Sequence, residues 1–306
     1  MTISLAGQVA VVTGAGRGMG RTHSLELARR GAAVVVNDVM KEHADTVVGE
    51  IEAAGGRAAA AYDSVATREG GLAIVGTALD RFGTVDIVVN NAGFMRNGYF
   101  EDQTPDMLDA MLGVHIGGCF WVTQAAWPVM RAKGYGRVVM IGSGGGMFAM
   151  QGEANYAAGK AGVYGLSKAL AFEGKPLGIL VNAVLPGADT TITANDPVPG
   201  MKERFRPGMR EAIGARRSTQ AVSPMIVYLA SRECTLSGET FDAKCGVYAR
   251  VFVAVAPGWI APDADAVSAE DLIEHLDEIR AQNGYFVPED NYEEMEDVAR
   301  KIGWRP

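Results

Sequence analysis

The 306-residue chain has no run of 18 or more apolar residues, so no membrane-spanning helix is expected. Its opening, MTISLAGQVAVV, has no cationic stretch and runs straight into an apolar segment, which argues against a signal peptide. Cysteine is scarce: Cys119, Cys234 and Cys245 are odd in number, far apart and in apolar settings. They read as reduced packing residues of a cytoplasmic protein, not as bridges or ligands, and no metal site is expected. Internal repeats and low-complexity segments are also missing. A positive field is lacking too, since the net charge is −8, and this removes nucleic acid as a partner recognised by general charge. The acidity is local. Residues 1–256 hold 24 basic and 23 acidic side chains, whereas 257–306 hold 4 and 13. We therefore divide the chain into a main domain, 1–256, and an acidic C-terminal extension, 257–306.

What is present is an alternation of short apolar runs with amphipathic stretches. QVAVVTG (8–14) reads as a buried parallel strand. The turn GAGRGMG follows it and opens a helix that runs to about Arg30. Gly14, Gly18 and Gly20 let the backbone turn tightly and approach a pyrophosphate at the helix N-terminus, where free N–H groups and the helix dipole favour anions. AAVVVND (32–38) is a second strand, closed by Asp38. A carboxylate there can hydrogen-bond the adenosine ribose hydroxyls and repel a 2′-phosphate, which favours NAD over NADP. Arg17 pulls the other way, because a cation can meet that phosphate. A third strand (57–63) is expected to put Asp63 and Val65 at its carboxyl edge, near an adenine, and VDIVVNNAG (85–93) is a fourth, bringing Asn91 and Gly93 to the same edge. A helix covers 104–133, with Thr104 as N-cap and Pro105 at its first position. GILVNAVLPGA (178–188) is a sixth strand, ending on Pro186-Gly187. The fold class is α/β: a Rossmann-like doubly wound parallel sheet with helices on both faces, one domain plus the C-terminal extension.

The fifth strand leads to Ser143. Tyr156 lies thirteen residues later and Lys160 four beyond that. Residues four apart share a helix face, so the phenol and the ammonium can occupy one site. A phenol with a reference pKa of about 10 is a poor base near neutrality. A nearby cation favours the phenolate, and a serine hydroxyl can hold a substrate oxygen beside it. Together they can move a proton onto or off an alcohol or carbonyl oxygen.

The order and spacing of TGxxxGxG (Thr13–Gly20), NNAG (Asn90–Gly93), Ser143, Tyr156-x-x-x-Lys160 and Pro186-Gly187 resembles the short-chain dehydrogenase/reductase family over residues 5–255. VVVND, YDSV, VHIGGCFWVTQAAWPVM, YGRVVM and ANYAAGKAG extend the likeness to the branch holding the dehydrogenase part of multifunctional enzyme type 2, also called 17β-hydroxysteroid dehydrogenase type 4. That resemblance implies NAD-dependent hydride chemistry on (3R)-hydroxyacyl-CoA thioesters or 17β-hydroxysteroids. It makes Tyr156 the acid/base, Lys160 the residue that holds the nicotinamide ribose and lowers the phenol's pKa, and Ser143 the one that orients the reacting oxygen. It carries cofactor contacts to Gly14, Arg17, Gly18, Met19, Gly20, Asp38, Asp63, Ser64, Val65, Asn91, Ala92, Gly93, Pro186, Gly187 and Thr191, with Tyr156 and Lys160. Many family members have Asn where this chain has His115, and use its backbone carbonyl to hold a water beside the lysine. His115 keeps that carbonyl and adds a titratable ring. Nothing in the 306 residues resembles a hydratase or carrier domain, so membership in a fused β-oxidation enzyme is not expected.

The substrate is less sharply defined. Met95, Met147, Phe148, Met150, Met201, Phe205 and Met209 stand in loops that should face the nicotinamide. Such side chains suit a bulky apolar alcohol, a hydroxysteroid before others. Residues 202–217 hold six basic and two acidic side chains, which suits CoA phosphates instead. A cofactor-binding regulator without turnover is the third reading, and the intact Ser143, Tyr156 and Lys160 argue against it. The Pro- and Met-rich stretch 188–219 is expected to be a lid. Small residues on the Tyr156 helix point to a homodimer or homotetramer, as in the family.

Overall fold

The computed structural model describes residues 2–188, 206 and 208–305. Its sheet is built from strands too apolar to face water on either side. β1 (Val9–Thr13), β2 (Ala33–Asn37), β4 (Ile87–Asn90) and β5 (Gly136–Ile141) are buried at every position. Only a sheet covered by helices on both faces can hold such runs. Alternate residues supply the two layers, as the pleat requires. Ala10, Val12, Val34, Val36, Val89 and Val139 join one core, while Val9, Val11, Val35, Val88, Val138 and Met140 join the other.

With β3 (Arg57–Ala61), β6 (Ile179–Gly187), β7 (Thr240–Lys244) and β8 (Val247–Val251), the strand order is β3-β2-β1-β4-β5-β6-β7-β8. Pairing is parallel from β3 through β7. A two-residue turn, Cys245-Gly246, joins β7 to β8, and both residues have positive φ (55° and 82°), as a tight hairpin demands. The order reverses between β1 and β4. In such sheets the crevice outside the carboxyl ends at this reversal receives the ligand, and the turns after β1, β2, β4 and β5 all open there.

The helices are α1 (Gly18–Arg29), α2 (Lys41–Ala53), α3 (Arg68–Phe82), α4 (Pro105–Leu112), α5 (Gly118–Lys133), α6 (Gly144–Phe148), α7 (Ala154–Gly174), α8 (Met209–Gly214) and α9 (Ser223–Ala230). The helix expected over 104–133 starts as read, with the Thr104 hydroxyl accepting from the Met107 N–H. It is not uniform, however. Gly113–Gly117 form a π-helical turn between α4 and α5. A π turn widens the helix by one residue and often marks a functional position. Here it carries His115, which packs so closely on α7 that a Cβ on Gly159 would stand 3.2 Å from the His115 Cβ.

The chain divides into two compact units, Met1–Arg250 and Val251–Pro306. The second holds α10 (Ala269–Glu274), α11 (Leu276–Ile279) and α12 (Asn291–Lys301). Ser268 and Asp271 form a reciprocal capping box at the start of α10, and Trp259 stacks on His275 with centroids 4.1 Å apart. Thr191, Met201, Phe205 and most of the expected lid lie outside the described residues. Of that stretch, Met209 opens α8 and is exposed. No helix among the described residues is long and apolar enough to cross a membrane.

Candidate active site

The β1 and β4 ends are tied by one hydroxyl and one amide. Thr13 Oγ1 accepts from the backbone N–H groups of Asn91 and Ala92, each at 3.0 Å. Asn91 Nδ2 donates back to the Thr13 and Gly14 carbonyls at 2.8 and 3.0 Å. This clamp requires glycine. A Cβ on Gly14, whose φ is +59°, would stand 2.7 Å from Ala92 Cα, and one on Gly20 would stand 2.5 Å from Asn91 Nδ2. Helix α1 begins at Arg17, which is extended and makes no side-chain cap hydrogen bond, with no acidic residue in the first turn. Its N–H groups therefore face the crevice without a protein side chain capping them, as an anion site needs.

These turns border a cleft of about 310 Å³. Gly14, Arg17, Gly18, Met19, Gly20, Asp38, Ser64, Val65, Asn91, Ala92 and Gly93 all line it, and Asn37, Val39, Met40, Phe94 and Val114 do so without having been read from the sequence. The Asp38 carboxylate is fixed in place, accepting from the N–H groups of Gly16 and Met40 at 3.0 Å each. Asp63 is different. Its side chain is exposed and outside the cleft lining, while its backbone carbonyl accepts from Asn37 Nδ2 at 2.9 Å. Pro186 and Gly187 end β6 beside Ala243 and Lys244, also outside that lining. Thr191 is not among the described residues.

Ser143 caps α6 through Oγ, which accepts from the Gly145 N–H at 3.1 Å. Tyr156 lies on the first turn of α7. Ser143 Oγ and Tyr156 Cε1 each lie 3.5 Å from the point a Gly145 Cβ would occupy, so the structure brings the two side chains together. Lys160 is buried one turn on, with its ammonium 5.9 Å from the Tyr156 ring centre and donating to the Ile141 carbonyl at 2.6 Å. Burial pushes the phenol up to about 12; the Ser143 hydroxyl partly offsets this and the Glu153 carboxylate adds to it. Burial likewise brings Lys160 down to about 8. The lowered phenol pKa expected from the lysine is thus outweighed, because withdrawal from water disfavours the charged form of both groups.

His115 meets Tyr156 edge-on, ring centres 5.2 Å apart. Burial, followed by the Lys160 charge, holds its pKa near 3, so the ring is neutral. Its Nε2 lies 2.8 Å from the Phe94 carbonyl and must carry the proton, which leaves Nδ1 as a buried acceptor with no partner among the described residues. Gly93 is small for the same reason, since a Cβ there would stand 2.6 Å from His115 Cε1. Two residues next to Tyr156 were missed in the sequence. Asn155 Oδ1 accepts from the Tyr156 N–H at 2.7 Å while its Nδ2 donates to the Arg96 carbonyl at 3.0 Å, fixing the start of α7. Glu153 is 3% exposed, and burial pushes its carboxyl up to about 7. Neither falls on a motif spacing; only the three-dimensional packing reveals them.

Residues 8–198 match the family model described as short chain dehydrogenase. The chain belongs to the short-chain dehydrogenase/reductase family. It is therefore an oxidoreductase whose Rossmann-like fold binds a nicotinamide cofactor. It is 42% identical over 253 residues to a short-chain type dehydrogenase/reductase of Mycobacterium tuberculosis, covering 80% of this chain and 84% of that protein. It is 38% identical over 249 residues to peroxisomal multifunctional enzyme type 2 of Mus musculus, covering 78% of this chain and 32% of the other. The solved full-length peroxisomal multifunctional enzyme type 2 of Drosophila melanogaster superposes with a TM-score of 0.81 at 28% identity, over 98% of this chain and 50% of that one. The chain thus spans half or less of these two multifunctional relatives. In this dehydrogenase the cradle fits the cofactor. The glycines leave room for a pyrophosphate at α1, and the Asp38 carboxylate lines the same cleft.

Proposed function

We propose that this dehydrogenase interconverts a secondary alcohol and a ketone on a bulky apolar substrate, with NAD as cofactor and Tyr156 as the proton-transferring group. The observation that carries the reading is the convergence of Ser143 and Tyr156 on one point beside Gly145, with Lys160 buried one turn away. A bound nicotinamide would supply or accept the hydride at the carbinol carbon. In reduction Tyr156 gives its phenolic proton to the carbonyl oxygen, and in oxidation it takes the hydroxyl proton. Ser143 holds that oxygen by a hydrogen bond. Lys160 presents an ammonium to the ribose hydroxyls and offsets the charge of the phenolate. Asp38 favours the unphosphorylated adenosine ribose. Pro186 and Gly187 are proposed to complete the cofactor contacts beyond the cleft.

A hydroxysteroid is the first substrate class. Phe148 and Met150, directly after the Ser143 turn, are 65% and 45% exposed and offer an apolar rim to a flat ring system. A (3R)-hydroxyacyl-CoA is the second, supported by Arg206 and Arg216, which are exposed on the stretch that follows β6. Purified protein with NAD, offered 17β- and 3-hydroxysteroids and 3-hydroxyacyl-CoAs, separates the two by formation of reduced nicotinamide. If the steroid reading holds, its KM stays flat with added salt. A thioester KM that climbs steeply with ionic strength, beside undetectable steroid turnover, overturns it.

The family's homodimer or homotetramer is proposed here too, supported by exposed Leu108 on α4 and Phe120 on α5. Light scattering at micromolar concentration should give at least twice the chain mass of 32.3 kDa; a monomer refutes it. The cytoplasm is the proposed location, supported by the unpaired Cys119 and Cys234, both buried.

A further inference from the structure

Glu153 has no place in the mechanism above, yet its carboxylate shares the Gly145 turn with the Tyr156 ring. It precedes α7, and its backbone carbonyl accepts from the Ala157 N–H at 2.7 Å. Its side chain turns inward beneath the Ser143–Gly145 turn. The point a Gly145 Cβ would occupy lies 3.0 Å from Glu153 Oε2 and 3.5 Å from both Ser143 Oγ and Tyr156 Cε1. A carboxyl group, a hydroxyl and the catalytic ring therefore surround one small space. The residue is 3% exposed, and among the described residues nothing forms a hydrogen bond or ion pair with its carboxyl oxygens.

Among the described residues, the charged and titratable groups of the elements around Glu153 do not pair with it; α4, packed on α7, brings Asp106 and Asp109, both exposed. On the same helix the ionisable groups nearest in the chain are Tyr156 and Lys160, with Tyr164, Lys168 and Glu173 further along, and the Lys160 ammonium donates to the Ile141 carbonyl. The π turn brings the neutral ring of His115. The Ser143 turn and α6 have no ionisable side chain. From β7, Lys244 reaches Gly144, but it is paired with Asp242 at 2.7 Å. The segment packed on residues 152 and 155 carries Arg96 and Tyr99, both exposed. The negative charge at Glu153 is thus felt chiefly by the phenol.

We propose that Glu153 is a positioning residue that sets the acidity of Tyr156, its carboxylate opposing formation of the phenolate and so holding the phenol in its proton-donating form. The inference rests on Tyr156 being the proton-transferring group. Physically it is a like-charge effect: an anion beside a phenol disfavours a second anion. Glu153 ionises in the neutral range, so the opposition strengthens as pH rises through about 7. The same shift has a stability consequence. The folded chain holds this proton more tightly than the unfolded one, so the contribution of Glu153 to stability is full below the unfolded value of 4.5 and is lost as pH rises through about 7.

The test is the pH profile of both directions in Glu153→Gln and Glu153→Asp, with Tyr156→Phe as control. Glu153→Gln keeps the shape and removes the charge. Its oxidation midpoint should fall by about one pH unit, giving roughly tenfold faster oxidation at a fixed pH on the rising limb. Glu153→Asp keeps the charge and should return the midpoint toward that of the natural protein. A Gln variant with an unmoved midpoint overturns the inference, even if its rates fall. If Glu153→Gln does not fold, infrared titration of the natural protein decides: a carboxylic C=O band that disappears between pH 6 and 8 supports it, and complete ionisation of all carboxyls by about pH 5.5 overturns it. An active Tyr156→Phe instead removes the reading beneath it, a distinguishable result.

Discussion

Tyr156→Phe should lower turnover at least about a hundredfold in both directions, the low end of what one positioned acid/base supplies. The substitution removes one oxygen and keeps the ring that packs edge-on against His115. Circular dichroism and the binding of reduced cofactor, followed by fluorescence, should therefore be unchanged, which isolates the proton step. His115 is the other candidate within reach, and its geometry argues against it. Its Nε2 proton is engaged by the Phe94 carbonyl, and with a pKa near 3 the ring stays neutral and cannot act as an imidazolium donor. Lys160 is committed to the Ile141 carbonyl. In the natural protein, oxidation should rise with pH, because burial has moved the phenol toward about 12 and each step upward in pH increases the reactive phenolate. Substantial activity in the Phe variant, with that pH rise intact, would show that the proton travels by another group.

Much of this arrangement was legible in the sequence because it depends on local pattern. Five-residue apolar runs ending in Gly, Asp or Asn fix the strands and their carboxyl edge, and that edge fixes where a ligand binds. Tyr156 and Lys160 could be placed together because four residues make about one helical turn. What escaped the sequence depends on contacts between distant segments. The π turn at Gly113–Gly117 reflects packing against α7, and the 104–133 stretch reads as plain helix without it. Thr13 looked like a strand end, yet its hydroxyl holds two backbone N–H groups from residues nearly eighty positions away. Glu153 reads as a polar N-terminal helix residue; only its burial beneath the Ser143 turn makes it electrostatically important. The direction of the Tyr156 shift was misjudged for the same reason. Charge at i and i+4 is visible in a sequence, and desolvation is not.

Two side chains of opposite sign, Asp38 and Arg17, stand on the rim of one cleft, and the structure holds them unequally. Asp38 is held by two backbone N–H groups, at 3.0 Å each, and a Cβ on Gly16 would stand 2.7 Å from its Oδ2. The carboxylate therefore cannot swing away when a 2′-phosphate approaches. Arg17 lines the same cleft with an exposed side chain and can turn into water at little cost. A fixed anion against a mobile cation leaves repulsion as the stronger influence on a 2′-phosphate. NAD should therefore exceed NADP in kcat/KM by at least tenfold, about 1.4 kcal/mol. Asp38→Ala removes the repulsion and leaves Arg17 free to meet the phosphate, so the ratio should narrow, mostly through a lower KM for NADP. Arg17→Ala should widen it. The two variants move the ratio in opposite directions only if the rim works as described. Equal use of both cofactors by the natural protein, or a ratio unmoved in Asp38→Ala, would mean that Asp38 serves only to brace the Gly16 and Met40 turns and that the adenosine ribose is read elsewhere.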